Sequence, residues 1–84
     1  MRLLPYLGYL AGILAVISLW PQTKRAWTTK KVEDLSIRTF IMLVTSGLLW
    51  VTYGILSTDW PLIATNTGMV ILNGAILLAK IKYS

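Results

Sequence analysis

The sequence contains no cysteine and no histidine, and only 13% of its 84 residues are charged. Disulfide bonds and thiol redox chemistry are therefore excluded. The connections between its apolar stretches are too short for a soluble catalytic module, a metal-binding cluster or a phosphate-binding loop. We expect no enzymatic activity, no catalytic residues, no metal site and no cofactor.

What remains is hydrophobic, and it is organised in three stretches: Leu4 to Trp20, Ser36 to Leu56 and Trp60 to Ala79. At about 1.5 Å of rise per residue, some 20 apolar residues span the roughly 30 Å hydrocarbon core of a bilayer. The sequence therefore predicts an all-α membrane protein. A single transmembrane domain, residues 1–84, should contain helices at about 4–27, 36–57 and 60–80.

The basic residues indicate how the chain is oriented. All except Arg2 lie between the first two spans, up to the start of the second, or after the third: Lys24, Arg25, Lys30, Lys31, Arg38, Lys80 and Lys82. By the positive-inside rule these segments are cytoplasmic, which places the N-terminus outside and the C-terminus inside. The net charge of +5 is thus explained by topology, and we expect no nucleic-acid partner. Arg2 before an apolar core could instead mark a signal sequence, but no A-x-A-like cleavage site follows.

Proline and capping residues predict where the helices begin and end. Pro21 should bend or stop the first helix, because it removes one backbone hydrogen bond, and Gln22 can offer its amide to the freed carbonyls. Ser36 is a candidate N-cap for the second helix, and Asp59 with Pro61 should start the third. The short loop makes the second and third helices antiparallel neighbours.

Six glycines lie inside the three stretches. Gly8 and Gly12 form a G-x-x-x-G pattern, and the others are Gly47, Gly54, Gly68 and Gly74. Close helix packing is the ordinary interpretation of each.

Trp50 and Asn66 lie at one depth, about 10 Å from the outer ends of their helices. A Trp ring presents a flat face to a pyranose, and an amide can both donate to and accept from its hydroxyls. The alternative is that Trp50 only packs and that Asn66 only bridges helices. Asn73 lies two turns below Asn66 on the same face, and Asp59 lies at the mouth of this stripe.

No ionisable residue lies deep in any span, which favours a passive, facilitative carrier over an ion-driven pump. Three helices cannot enclose a path for a small solute. Two copies inserted with the same orientation would supply six, with the site at their interface.

Pro21-Gln22, Asp34-Leu35-Ser36, Leu49-Trp50 with Tyr53-Gly54, and Asn66 together resemble the bacterial SemiSWEET sugar transporters of the PQ-loop superfamily. The resemblance covers nearly the whole chain. It implies a three-helix bundle that forms a parallel homodimer in the bacterial inner membrane. Such a dimer carries mono- or disaccharides down their gradient by alternating access.

The resemblance also implies roles for individual residues. Pro21 with Gln22 would be the hinge, and Trp50 with Asn66 would bind the sugar.

Tyr53 and Asp59 would form the outer gate. Some family members carry Arg at the position that reads Ser57 here, so the chain departs from them at that gate. Leu43 is the candidate inner gate. Two further candidates at that level are Phe40 and Met42.

Two other functions remain open. A PQ-loop carrier could transport another small neutral solute, or the chain could be a non-transporting assembly or regulatory protein of the membrane. A cationic or zwitterionic substrate would require an intramembrane carboxylate, and none is present.

Overall fold

A computed structural model describes residues 3–84 of the chain. Its three α-helices are α1 (Leu3–Thr29), α2 (Ile37–Ser57) and α3 (Trp60–Tyr83). All three are long and apolar enough to cross a membrane. The prediction of an all-α protein with three transmembrane helices is confirmed. Met1 and Arg2, and with them the charge that could mark a signal sequence, lie outside the described residues.

The ends of α2 and α3 are capped as the sequence predicts. The Ser36 hydroxyl accepts a hydrogen bond from the Thr39 N–H at 3.2 Å, and the Asp59 carboxylate accepts one from the Leu62 N–H at 3.2 Å. Each cap satisfies a backbone donor that has no partner within its helix. Pro61 lies in the first turn of α3, where its missing N–H costs nothing. Thr58, with a φ of 56°, ends α2 in the left-handed conformation.

α1 continues through Pro21 to Thr29 without interruption, so the helix does not stop at the proline. Gln22 is exposed, and within residues 3–84 its side chain makes no hydrogen bond; the expected bond from its amide is absent. Instead, the hydroxyl of the neighbouring Thr23 donates a hydrogen bond to the Leu19 carbonyl of the preceding turn at 3.0 Å. A threonine bond of this kind satisfies the hydroxyl inside the membrane without recruiting another helix.

α3 lies between the other two helices. It packs against both α1 and α2, while α1 and α2 make no contact with each other in the described part of the chain. The Cα atoms extend over 46 × 22 × 13 Å. A width of 22 Å fits three helices side by side at the usual spacing of about 8–10 Å. The protomer is therefore a single layer of helices, and α2 and α3 are the antiparallel neighbours expected from their short loop.

Glycine allows this close spacing. A Cβ built on Gly8 would lie 2.9 Å from the Pro61 Cβ, and one built on Gly47 would lie 2.5 Å from the Val70 side chain. Three more glycines face side chains of the neighbouring helix equally closely: Gly12, Gly54 and Gly68. The packing interpretation is confirmed for these five glycines. For Gly74 it finds no support within the protomer, because no other part of residues 3–84 lies within 4 Å of a Cβ placed there.

Candidate functional site

α2 presents two different surfaces on either side of its contact with α3. Phe40, Gly47 and Gly54 are its buried residues and define the line of contact. At about 100° per residue, mostly aliphatic side chains lie to one side of this line; they include Ile41, Leu48 and Ile55, with Thr52 beyond them. The other side carries Ser46, Trp50 and Tyr53 together with the aliphatic Leu43.

α3 divides in the same way. It meets α2 through Ile63 and Val70, and it meets α1 on the opposite side through Pro61, Thr65 and Gly68. Two surfaces remain between these contacts. One is exposed and mostly apolar, with Ala64, Thr67 and Ile71. The other carries Leu62, Asn66, Met69 and Asn73.

Grooves on opposite sides of the α1–α3 contact extend this division to α1. One groove is lined by Ile13 and Ile17 together with Ala64. The other is lined by Ala11 and Ala15 together with Leu62. Ser18 and Gln22 follow Ala11 and Ala15 at helical spacing, so small and polar residues of α1 lie on the same side as Asn66.

The sides of the three helices combine into two faces of the layer. Because α2 is right-handed and antiparallel to α3, its Trp50 side is the side on which Asn66 lies. The aliphatic face consists of Ile13, Ile17, Ile41, Leu48, Ile55, Ala64 and Ile71. The polar face consists of Ala11, Ala15, Ser18, Gln22, Leu43, Ser46, Trp50, Tyr53, Leu62, Asn66, Met69 and Asn73.

Trp50 and Asn66 lie at about the same level of the polar face. A Cβ on Gly47 would lie 3.7 Å from the Asn66 carbonyl oxygen, and Trp50 is one turn further along α2. Helical side chains tilt toward the N-terminus of their helix, so the Asn66 and Trp50 side chains of these antiparallel helices tilt toward each other. The Trp50 side chain is 49% exposed. Its ring meets the edge of Tyr53 at 5.6 Å between centroids.

Asn66 is half-buried and bonds only to its own helix. Its amide nitrogen donates to the Leu62 carbonyl at 3.0 Å, and among residues 3–84 its side chain makes no hydrogen bond to α1 or α2. One amide N–H and the amide oxygen remain available to a ligand. Bridging between helices, the alternative that the sequence left open, is therefore not what Asn66 does within this protomer.

The residues assigned to the outer gate lie at the end of the layer near Asp59. Tyr53 is 57% exposed on the polar face. Asp59 caps α3, as described above, and the Ser57 hydroxyl donates to the Tyr53 carbonyl at 2.8 Å. The Ser57 side chain is thus used in a hydrogen bond to its own helix.

The three candidates for the inner gate have different surroundings. Leu43 is 43% exposed and lies on the polar face. Phe40 is buried against α3, and Met42, one residue before Leu43, is rotated by about 100° and is exposed. Of the three, Leu43 is the one whose side chain is available on the polar face.

The opposite end of the layer, called here the basic end, is tied together by two long-range hydrogen bonds. The Trp27 indole N–H donates to the Ala75 carbonyl at 3.0 Å, and the Lys80 ammonium donates to the Val32 carbonyl at 2.9 Å. Val32 is only 1% exposed. The end of α1 and the segment that follows it are therefore fastened to α3.

Comparison with known proteins gives three concordant results. A family model described as "PQ loop repeat" matches residues 3–63. A protein of Bradyrhizobium diazoefficiens named "Sugar transporter SemiSWEET" is 35% identical over 81 residues, which cover 96% of this chain and 94% of that protein. The fold matches the structure described as "Crystal structure of a bacterial homologue of SWEET transporters" with a TM-score of 0.89. That match has 32% sequence identity and covers 95% of this chain and 96% of the other.

Proposed function

Because the chain belongs to the SemiSWEET proteins of the PQ-loop family, we propose that it carries mono- or disaccharides across the bacterial inner membrane by facilitative uniport. One observation supports this function above the others. A half-exposed Trp50 ring and an Asn66 amide without an interhelical bond share one level of a membrane-spanning surface. A surface that faced lipid would not retain such an amide, because unpaired polar groups are costly in hydrocarbon.

The two side chains offer complementary contacts to a sugar. The Trp50 ring can lie against the C–H face of a pyranose, and the free N–H and oxygen of Asn66 can bond to its hydroxyls. Neither contact requires a charge on the ligand. The pair therefore fits a neutral polyol.

A single layer of helices leaves this site open on one side. We place a second copy against it, related by a two-fold axis along the membrane normal, so that the two polar faces enclose the path. The aliphatic faces then contact lipid. The basic ends of both copies face the cytoplasm, in accordance with the positive-inside rule.

Alternating access follows from opening this dimer at one end at a time. Tyr53 and Asp59 close the outer end and Leu43 closes the inner end, with Phe40 and Met42 beside it. Pro21, with Gln22, supplies the hinge, because α1 lacks one backbone hydrogen bond there. The bonds of Trp27 and Lys80 at the basic end hold the inner side closed.

The transport is not coupled to ions. No acidic or basic residue occurs between Thr39 and Thr58 or between Trp60 and Ala79, whereas ion-driven carriers usually keep a carboxylate at that depth.

The test is uptake of a panel of radiolabelled sugars into liposomes that contain the purified protein. We expect at least one mono- or disaccharide to enter until its concentrations inside and outside are equal, with or without an imposed proton or sodium gradient. Accumulation above the external concentration would refute uniport. Entry of a neutral amino acid but of no sugar would assign the chain to another solute, and entry of nothing would leave a non-transporting protein.

A further inference from the structure

Asn73 in α3 is a buried amide whose surroundings do not satisfy it. The residue is 2% exposed, and its Oδ1 is the buried side-chain polar atom that has no hydrogen-bond partner within residues 3–84. Nearly all buried polar side-chain atoms in proteins have a partner, so an exception needs a reason. Packing does not provide one, because an apolar side chain of similar branching would fill the site without an unsatisfied oxygen.

The position of Asn73 on α3 suggests the reason. It lies seven residues after Asn66, which is two helical turns, so the two amides share the polar face and are about 10 Å apart along the helix axis. Asn73 is the one nearer the basic end. A sugar that leaves the Trp50–Asn66 level in that direction meets Asn73 next.

The helix contacts place Asn73 at the level of the proposed moving parts. Gly12 lies against Thr65 and Val16 lies against Gly68; the same register continues along α1 to bring Pro21 level with Asn73. On the other side of α3, Gly47 lies against Val70, and one turn further the antiparallel register reaches Leu43.

We infer that Asn73 is a second sugar-contacting residue, sealed while the basic end is closed and exposed to the path when the basic end opens. This inference rests on the proposed function. When the basic end opens, a sugar hydroxyl supplies the partner that the Asn73 oxygen lacks in the closed state. The bond is gained only in the open state, so it lowers the free energy of the sugar-bound open state relative to the closed one and assists opening toward the basic end.

Two substitutions at the same position separate this role from a structural one. Asn73→Leu keeps the branched shape of the side chain with slightly bulkier ends, removes the unsatisfied oxygen and removes the sugar contact. Asn73→Ser keeps a hydroxyl for the sugar and leaves a cavity. Thr67→Val, on the exposed surface of α3 away from the polar face, is the matched control for loss of a polar group from this helix.

The measurements are sugar uptake in proteoliposomes and thermal unfolding in mild detergent, on the same preparations. We expect Asn73→Leu to unfold at a higher temperature than wild type and to transport about tenfold more slowly. Asn73→Ser should unfold at a lower temperature and yet transport faster than Asn73→Leu. Thr67→Val should change neither.

Transport that follows stability, with Asn73→Ser the slowest, would overturn the inference and assign Asn73 to packing. Wild-type transport by Asn73→Leu would overturn it as well while leaving the proposed function intact. If the wild-type protein moves no sugar at all, the proposed function fails and the inference fails with it.

Discussion

Asn66 makes use of a hydrogen bond that is available at any position of a helix, to the carbonyl four residues earlier. This bond partly satisfies the amide in the membrane without fixing a neighbouring helix. When two helices must move relative to each other, a polar side chain bonded to its own helix does not oppose the motion. The same logic applies to Thr23, Thr52 and Ser57, whose hydroxyls also donate to carbonyls four residues earlier.

Trp50→Ala and Asn66→Ala each remove a proposed sugar contact while leaving most helix contacts in place. We expect either variant to lose most sugar uptake while remaining folded. The change in stability for Asn66→Ala should be small, because even a bonded interhelical amide contributes only about 0.6 kcal/mol on average. The measurement is uptake and thermal unfolding of each variant in parallel.

Two positions outside the polar face provide controls for these variants. Trp20→Ala removes an exposed Trp ring of α1 outside the polar face, and Thr67→Ala changes the residue next to Asn66 that lies away from that face. Both should transport as wild type. Unchanged uptake in well-folded Trp50→Ala and Asn66→Ala would show that these residues do not bind the sugar and serve helix packing instead.

At the residue scale, the sequence was sufficient to place Trp50 and Asn66 at one depth, since depth follows from counting residues along a helix. It could not predict that Asn66 bonds to Leu62, because the alternative partners lie on other helices whose distance is set by packing. The small polar face of α1, with Ser18 and Gln22, was also missed. The only sequence signal for this surface is the helical spacing of three or four residues that connects Ala11, Ala15, Ser18 and Gln22.

At the scale of elements, α1 combines a proline in its interior with a firmly attached end. Pro21 leaves the Ile17 carbonyl without its helical donor, and such a proline costs a water-soluble helix about 3 kcal/mol. Beyond it, Trp27 is bonded to Ala75. A swing of this end about Pro21 must therefore break that bond or carry the end of α3 with it.

Pro21→Ala restores the missing backbone hydrogen bond and should straighten α1. We expect the variant to insert normally, to unfold at a higher temperature and to exchange sugar more slowly than wild type, because the closed state is stabilised and the hinge is lost. Pro61→Ala is the matched control, since Pro61 lies in the first turn of α3, where no backbone hydrogen bond is missing. A wild-type exchange rate for Pro21→Ala would show that the hinge lies elsewhere.

The helix ends could be predicted because their signals are local. The Ser36 and Asp59 caps and the first-turn Pro61 act within four residues of themselves. The environment of Gly74 could not be predicted in this way, because a glycine that packs and one that does not look alike in sequence. The central position of α3 depends in addition on which faces of three helices fit together, and no single helix encodes that.

At the scale of the whole molecule, a single layer of three helices has two faces and encloses no path. Lipid can cover the aliphatic face, but the polar face, with Trp50, Asn66 and Ser46, has no counterpart in hydrocarbon. In the proposed homodimer, a second copy would cover the polar face and at the same time close the path. The need for a partner could be predicted from the number of helices. Which face would contact that partner could be identified only once the packing of α1 and α2 on α3 was known.

Labelling of single cysteines in membranes tests most directly whether the polar face lines a water-filled sugar path, and the chain has no cysteine of its own to interfere. Ser46→Cys and Leu48→Cys place a thiol at nearly the same depth of α2, on the polar and the aliphatic face. Hydrophilic reagents require a hydrated thiol. We predict that a charged thiol reagent modifies Ser46→Cys, that a transported sugar slows this reaction, and that Leu48→Cys stays unmodified in lipid. Two results would contradict the assignment of the polar face to the path. One is that Leu48→Cys is modified faster than Ser46→Cys; the other is that no transported sugar slows the reaction at Ser46→Cys.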